Sequence, residues 1–173
     1  IFYTPFGYIQ EYCTCWKGVV KNCFLCYYYQ KGLLYEKIGF EFEYLKKSLS
    51  TLNECYEYLN KQQDEKLKTY IKDSCVQRFE YTYETAKKLM NKFLKKEYDK
   101  TEKDLTINNI FREMFGLGLI ENFENWADYR EKRNITSHEY NIELTYPIID
   151  IIPKFTADVD FLIKSFEKVL IDD

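Results

Sequence analysis

Two neighbouring segments of the chain repeat apolar residues at alternating steps of four and three, and this periodicity forces a fold built from long amphipathic helices. The regular pattern starts at Leu34. It runs through Ile38, Phe42, Leu45, Leu49, Leu52, Tyr56 and Leu59 as one stripe along a first helix. A polar stretch from Asn60 to Glu65 interrupts it, and a second, longer helix follows, with Leu67, Ile71, Cys75, Phe79, Tyr83, Ala86, Met90 and Phe93 on its stripe. Lys87, Lys88, Lys92, Lys95 and Lys96 fall mostly off that stripe and read as a solvated face, which is also the best local basic surface.

The charged connection Glu97 to Asp104 leads to Thr106, an N-cap for a short helix carrying Ile110, Phe111, Met114 and Phe115, which Gly116 and Gly118 terminate. A further helix begins near Asn122 and runs through Trp126, Arg130 and Arg133, spaced four and three, so both arginines share a face with the tryptophan. Ile152, Phe155, Val159, Leu162, Phe166 and Val169 write a last helix, with Pro153 expected to kink or break it near its beginning. No strand pattern competes after residue 34. The expectation is an all-α fold, an antiparallel up-and-down four-helix bundle with an additional short helix.

A length of 173 residues with 46% hydrophobic content suits one core and is short for two ordinary domains. The net charge of -3 excludes the global basic excess of a non-specific nucleic-acid binder, so RNA contact would need a local basic surface. No apolar run reaches the roughly 20 residues of a membrane span, and the N-terminus lacks the pattern of a signal peptide, which points to a cytoplasmic protein. Cys13, Cys15, Cys23 and Cys26 crowd the start of the chain as C-x-C and C-x-x-C. Zinc ligation by these thiolates is open in principle, but the flanking aromatics lack the turn and helix signals of zinc modules. Because the chain starts at Ile1, residues 1–32 form an irregular Cys- and aromatic-rich segment readable as a fragment, a fusion scar or translated upstream sequence. The domain expected to carry function is 33–173. Cys55 and Cys75 sit within helical patterns and read as small buried apolar residues.

His138, the one histidine, follows Arg133 by five residues, with Asn134, Thr136 and Ser137 between. One reading is a surface histidine favoured by the dipole at a helix C-terminus. The other is chemical: a cation for the non-bridging oxygens of a phosphodiester beside a group that exchanges protons near neutral pH. Glu80 and Glu84, one helical turn apart, read as an exposed pair or an internal salt bridge to Arg78, with a catalytic carboxylate pair as the alternative. Trp126 and the helically spaced tyrosines suit a core or a dimer interface better than a base-stacking platform. Gly116-Leu117-Gly118 is too short for a phosphate loop.

Three separated blocks carry a family resemblance: Ile71 to Glu84, Phe111 to Ile120, and Trp126 to Tyr140, the last containing an R-x4-H-x-Y motif as Arg133, His138 and Tyr140. In order and spacing they resemble the nucleotidyltransferase substrate-binding proteins of the HEPN superfamily, over about residues 34 to 173. The resemblance implies a four-helix bundle with an extra helix, a homodimer, and a minimal nucleotidyltransferase as partner. It further implies a toxin-like, metal-independent ribonuclease that needs no cofactor and is silenced by adenylylation of the motif tyrosine. Carried onto this chain, Arg133 holds the scissile phosphate, His138 transfers protons, Asn134 is an auxiliary contact and Tyr140 is the modified residue, with Arg78, Glu80 and Glu84 as supporting polar residues. Cleavage by a 2′-hydroxyl needs one group that takes a proton and another that gives one, which two motifs brought together in a dimer would supply. Two other readings stay open. One is a non-catalytic subunit that binds nucleotide or substrate for a partner nucleotidyltransferase, and the other is a purely structural dimerising bundle.

Overall fold

The computed structural model describes the backbone of residues 24–98, 100–101, 103–138 and 147–171, and the side chains of 38–98, 100–101, 103–135 and 147–169. Five helices follow one another: α1 (Phe24–Lys61), α2 (Glu65–Glu97), α3 (Ile107–Gly116), α4 (Phe123–His138) and α5 (Pro147–Ile171). The described residues contain no strand. The long helices α1 and α2 pack along each other, α5 closes onto both, and α4 lies against α2, α3 and α5. The all-α bundle expected from the apolar periodicity is therefore the observed fold.

The stripes do what their spacing demands. Ile38, Phe42, Leu45, Leu49, Leu52 and Leu59 of α1 are buried, as are Cys75, Phe79, Tyr83, Ala86, Met90 and Phe93 of α2. An aromatic column joins the helices: the Phe79 and Phe155 rings lie 4.7 Å apart, Phe93 and Phe166 5.0 Å, and Tyr129 and Phe155 4.9 Å. Such edge-on contacts suit ring quadrupoles and add to the burial of area. Two stripe positions behave otherwise. Leu67 is 47% exposed and Phe115 is 50% exposed, each within a terminal turn of its helix.

Local chemistry sets the ends. The three-residue link between α1 and α2 uses Asp64 as N-cap, its side chain accepting the Leu67 amide at 3.0 Å. Thr106 caps α3 as expected, and Asn122 caps α4 by accepting the amides of Glu124 and Asn125 at 2.8 and 3.1 Å. Helix α3 stops in a Schellman turn. Gly118 adopts φ 69°, its amide bonds to the Phe115 carbonyl, and the Leu119 amide bonds to that of Met114. Gly116 is the last helical residue, so Gly118 alone supplies the left-handed step.

Two boundaries differ from the sequence reading, and one expected break is absent. Helix α1 begins at Phe24, ahead of the first stripe residue, so residues 24–32 have helical backbone. Helix α5 starts at Pro147, ahead of Ile152, with proline at its first position, where a missing N–H costs nothing. Pro153 does not break it. One backbone hydrogen bond is forgone there, while Ile152 and Phe155 on either side are fully buried, and that burial outweighs the loss.

Candidate functional site

Helix α4 is the element that positions the motif, and its first half is bolted down. Trp126 and Tyr129 are each 1% exposed, packed against Phe111 of α3 and Phe155 of α5. Tyr129 Oη donates to Asp158 Oδ2 at 2.6 Å, and Asn125 Nδ2 donates to the same oxygen at 3.0 Å. Burial, and then that bond to Asp158, push the Tyr129 hydroxyl above its usual range, so it stays a neutral donor. Two turns beyond Trp126, on the same face, comes Arg133.

Arg133 reaches across to α2. Its Nε lies 2.8 Å from Glu84 Oε1, while the other oxygen of that carboxylate lies 2.5 Å from Lys87 Nζ. Glu84 and Arg133 are one-quarter and one-third exposed, so this three-charge cluster stands at the margin of the core and strengthens with its partial desolvation. Beneath it is Tyr83, 1% exposed, with Lys87 Nζ 5.9 Å from its ring centroid. Burial and the Glu84 charge push the Tyr83 hydroxyl up, and the Arg130 and Arg133 charges pull it down, so four charged or phenolic groups share one neighbourhood. Among the described residues, Tyr83 Oη has no hydrogen-bond partner. Arg130 extends the cationic surface toward α3, where its Nη1 donates to Asn108 Oδ1 at 2.8 Å.

The predicted site residues separate into groups. Glu84 and Arg133 meet. The backbone of His138 closes α4, five residues after Arg133, while its side chain and all of Tyr140 lie outside the described residues. Asn134 is exposed next to Arg133, and Glu80 is half-buried one turn before Glu84 on α2. Arg78 does not join them. Its guanidinium turns toward Ser74, donating to the Ser74 carbonyl at 3.2 Å and to the Ser74 hydroxyl, and lines a cleft between α1 and α2. A salt bridge to Arg78 is one of two readings of Glu80 and Glu84 from the sequence; Glu84 pairs with Arg133 instead, because Arg78 and Glu84, six residues apart, leave α2 on different faces. Sequence reasoning missed Tyr83 and Lys87 as part of the cluster. The i,i+3 spacing of Glu84 and Lys87 was the available signal, and the tyrosine was absorbed into the stripe.

The lysine face of α2 is partly neutralised. Lys92 Nζ contacts both oxygens of Glu41 on α1, at 2.8 and 2.7 Å, and Lys87 is engaged by Glu84. Lys88 and Lys96 are exposed. Among the described residues no three His, Cys, Asp or Glu side chains gather as metal ligands, and the early cysteine side chains lie outside those residues. No described helix is long and apolar enough to cross a membrane.

Similarity to known proteins agrees with this architecture. A probable ribonuclease HepT of Haemophilus influenzae is 32% identical over 96 residues, which cover 54% of this chain and 65% of that protein, so the chain spans just under two thirds of that relative. The solved structure of HI0074 from Haemophilus influenzae, described as revealing the fold of a substrate binding domain of a nucleotidyltransferase, superposes with a TM-score of 0.66. It is 25% identical, and the match covers 73% of this chain and 98% of HI0074. The family model for nucleotidyltransferase substrate binding protein-like domains matches residues 40–168, which takes in α2, α3 and α4 whole, residues 40–61 of α1 and 147–168 of α5. The chain therefore belongs to the nucleotidyltransferase substrate binding protein-like family.

Proposed function

We propose that this chain is a metal-independent endoribonuclease of toxin type, working as a homodimer and silenced by a minimal nucleotidyltransferase that adenylylates Tyr140. The observation that carries the reading is the clamp of Glu84 on Arg133, which holds a guanidinium at the edge of the core on the helix that ends at His138. Arg133 neutralises the non-bridging oxygens of the scissile phosphate as charge grows there. One histidine takes the proton of the ribose 2′-hydroxyl while that oxygen attacks phosphorus. A second returns a proton to the departing 5′-oxygen, leaving a cyclic phosphate and a free 5′-hydroxyl. Asn134 is an auxiliary contact to the same phosphate.

Helix geometry favours two copies. Positions 133 and 138 are separated by about 7.5 Å along a helix and about 140° around it, so one α4 does not by itself present both on one face. Two motifs facing each other supply the acid and the base that a single-histidine chain lacks. Adenylylation of Tyr140 adds a phosphate that pairs with Arg133 and a purine whose bulk crowds the motif. The similarity to a probable ribonuclease HepT supports this reading.

A second reading has its own support, namely the likeness to HI0074, which is described as a substrate binding domain of a nucleotidyltransferase. There Arg133 and His138 contact nucleotide or substrate for a partner enzyme and cleave nothing. The deciding experiment is cleavage of RNA by the purified chain in EDTA, comparing wild type with Arg133→Ala and His138→Ala. Cleavage that both substitutions abolish, with fold and dimer intact, establishes the ribonuclease. A well-folded dimer that leaves RNA whole refutes it in favour of the binding subunit.

A further inference from the structure

Away from Arg133, helices α1 and α2 bring two thiols together. Cys55 Sγ and Cys75 Sγ are 3.1 Å apart, inside van der Waals contact, and both cysteines are reduced. The Cys75 thiol donates to Cys55, and the Cys55 thiol donates onward to the Ile71 carbonyl at 3.7 Å, so the protons are ordered along one direction. The two sulfurs differ in access. Cys75 is fully buried, whereas Cys55 is half-buried and lines a cleft of about 430 Å³ together with Thr51, Tyr58, Ser74 and Arg78. Burial pushes the Cys75 thiol up, and its hydrogen bond to Cys55 adds to this, so Cys75 is the poorer first nucleophile.

We propose that Cys55 and Cys75 are a redox-responsive pair that a small hydroperoxide, entering by this cleft, converts to a disulfide stapling α1 to α2. The Cys55 sulfur attacks the terminal peroxide oxygen and the O–O bond breaks. Cys55 becomes a sulfenic acid, and the departing oxygen leaves as water or, from an alkyl hydroperoxide, as an alcohol. The Cys75 sulfur then attacks the sulfenic sulfur, the S–O bond breaks, and the hydroxyl leaves as a second water carrying the proton that Cys75 had pointed at Cys55. Two thiols are oxidised and one peroxide is reduced. Arg78 and the hydroxyls of Thr51 and Ser74 give the cleft a polar mouth that an ordinary packing cysteine would not need.

The test treats the full-length reduced chain with hydrogen peroxide, blocks remaining thiols, and maps peptides under non-reducing conditions. The expected product is a linked pair containing Cys55 and Cys75, released by dithiothreitol, and still formed when Cys13, Cys15, Cys23 and Cys26 are replaced by Ser. In Cys75→Ser, Cys55 is trapped as a sulfenic acid that dimedone labels, and Cys55→Ser yields neither product. Closing the loop between the two cysteines raises the Tm by about 5–10 °C on oxidation. Over-oxidation of Cys55 without a link, prior labelling of Cys75, or a link that forms only in urea overturns the proposal.

Discussion

Replacing Glu84 and Arg133 singly and together, as Glu84→Gln and Arg133→Gln, measures the clamp on which the proposed site depends. Charges 2.8 Å apart attract by about 1.5 kcal/mol in water and about 6 kcal/mol at an effective dielectric of 20. Desolvation and the ordering of two long side chains cancel most of this, and exposed pairs retain about 0.2–1 kcal/mol. With Glu84 one-quarter and Arg133 one-third exposed, a coupling near the top of that range, about 1 kcal/mol, is expected. The singles are unequal. Arg133→Gln leaves Glu84 with Lys87 and costs about 1 kcal/mol, while Glu84→Gln removes a carboxylate that both cations contact and costs about 1.5–2 kcal/mol. Urea unfolding of the four proteins gives the cycle, and repeating it in high salt shrinks the coupling. A coupling below about 0.3 kcal/mol, or a larger loss from Arg133→Gln than from Glu84→Gln, refutes the argument.

Three further outcomes follow from the geometry. Tyr83 and Tyr129 have hydroxyls raised above the ordinary value of 10.0, so their contribution is complete below that pH and is lost as pH rises toward their folded values. Unfolding free energy then falls by about 1.4 kcal/mol per pH unit for each, and Tyr83→Phe or Tyr129→Phe lowers the slope seen in alkaline urea titrations by that amount. At neutral pH, Tyr129→Phe costs about 2 kcal/mol by chemical denaturation, because Asp158 keeps only its bond to Asn125. Thermal melts of the two α3 glycine variants should move in opposite directions. Gly118→Ala loses about 1 kcal/mol at φ 69°, whereas Gly116→Ala gains about 0.5–1 kcal/mol in a helical position where an added Cβ meets nothing within 4 Å.

Much of the fold was legible because helix periodicity is a local property. Ile38 to Leu59 and Cys75 to Phe93 announce their buried faces by spacing, and Thr106, Asn122 and Gly118 act through atoms within a few residues of themselves. The misreadings came where a local rule met a nonlocal competitor. Pro153 stays helical because α5 buries the residues on both sides of it. Leu67 keeps the stripe's phase yet stays exposed in the first turn of α2.

The sequence by itself determined the number of long helices, the faces they bury and the motif that links Arg133, His138 and Tyr140 to a family. Only the tertiary structure decided who meets whom. Glu84 shares α2 with Arg78, yet it pairs with Arg133 because α4 is pinned to α5 through Tyr129 and Asp158 and so lies across α2. Cys55 and Cys75 read as unrelated core residues until the packing of α1 on α2 sets their sulfurs in contact. The physical reason is the same in both cases: burial is written in the period of one helix, but a pairwise contact requires the relative placement of two, which no single stripe encodes.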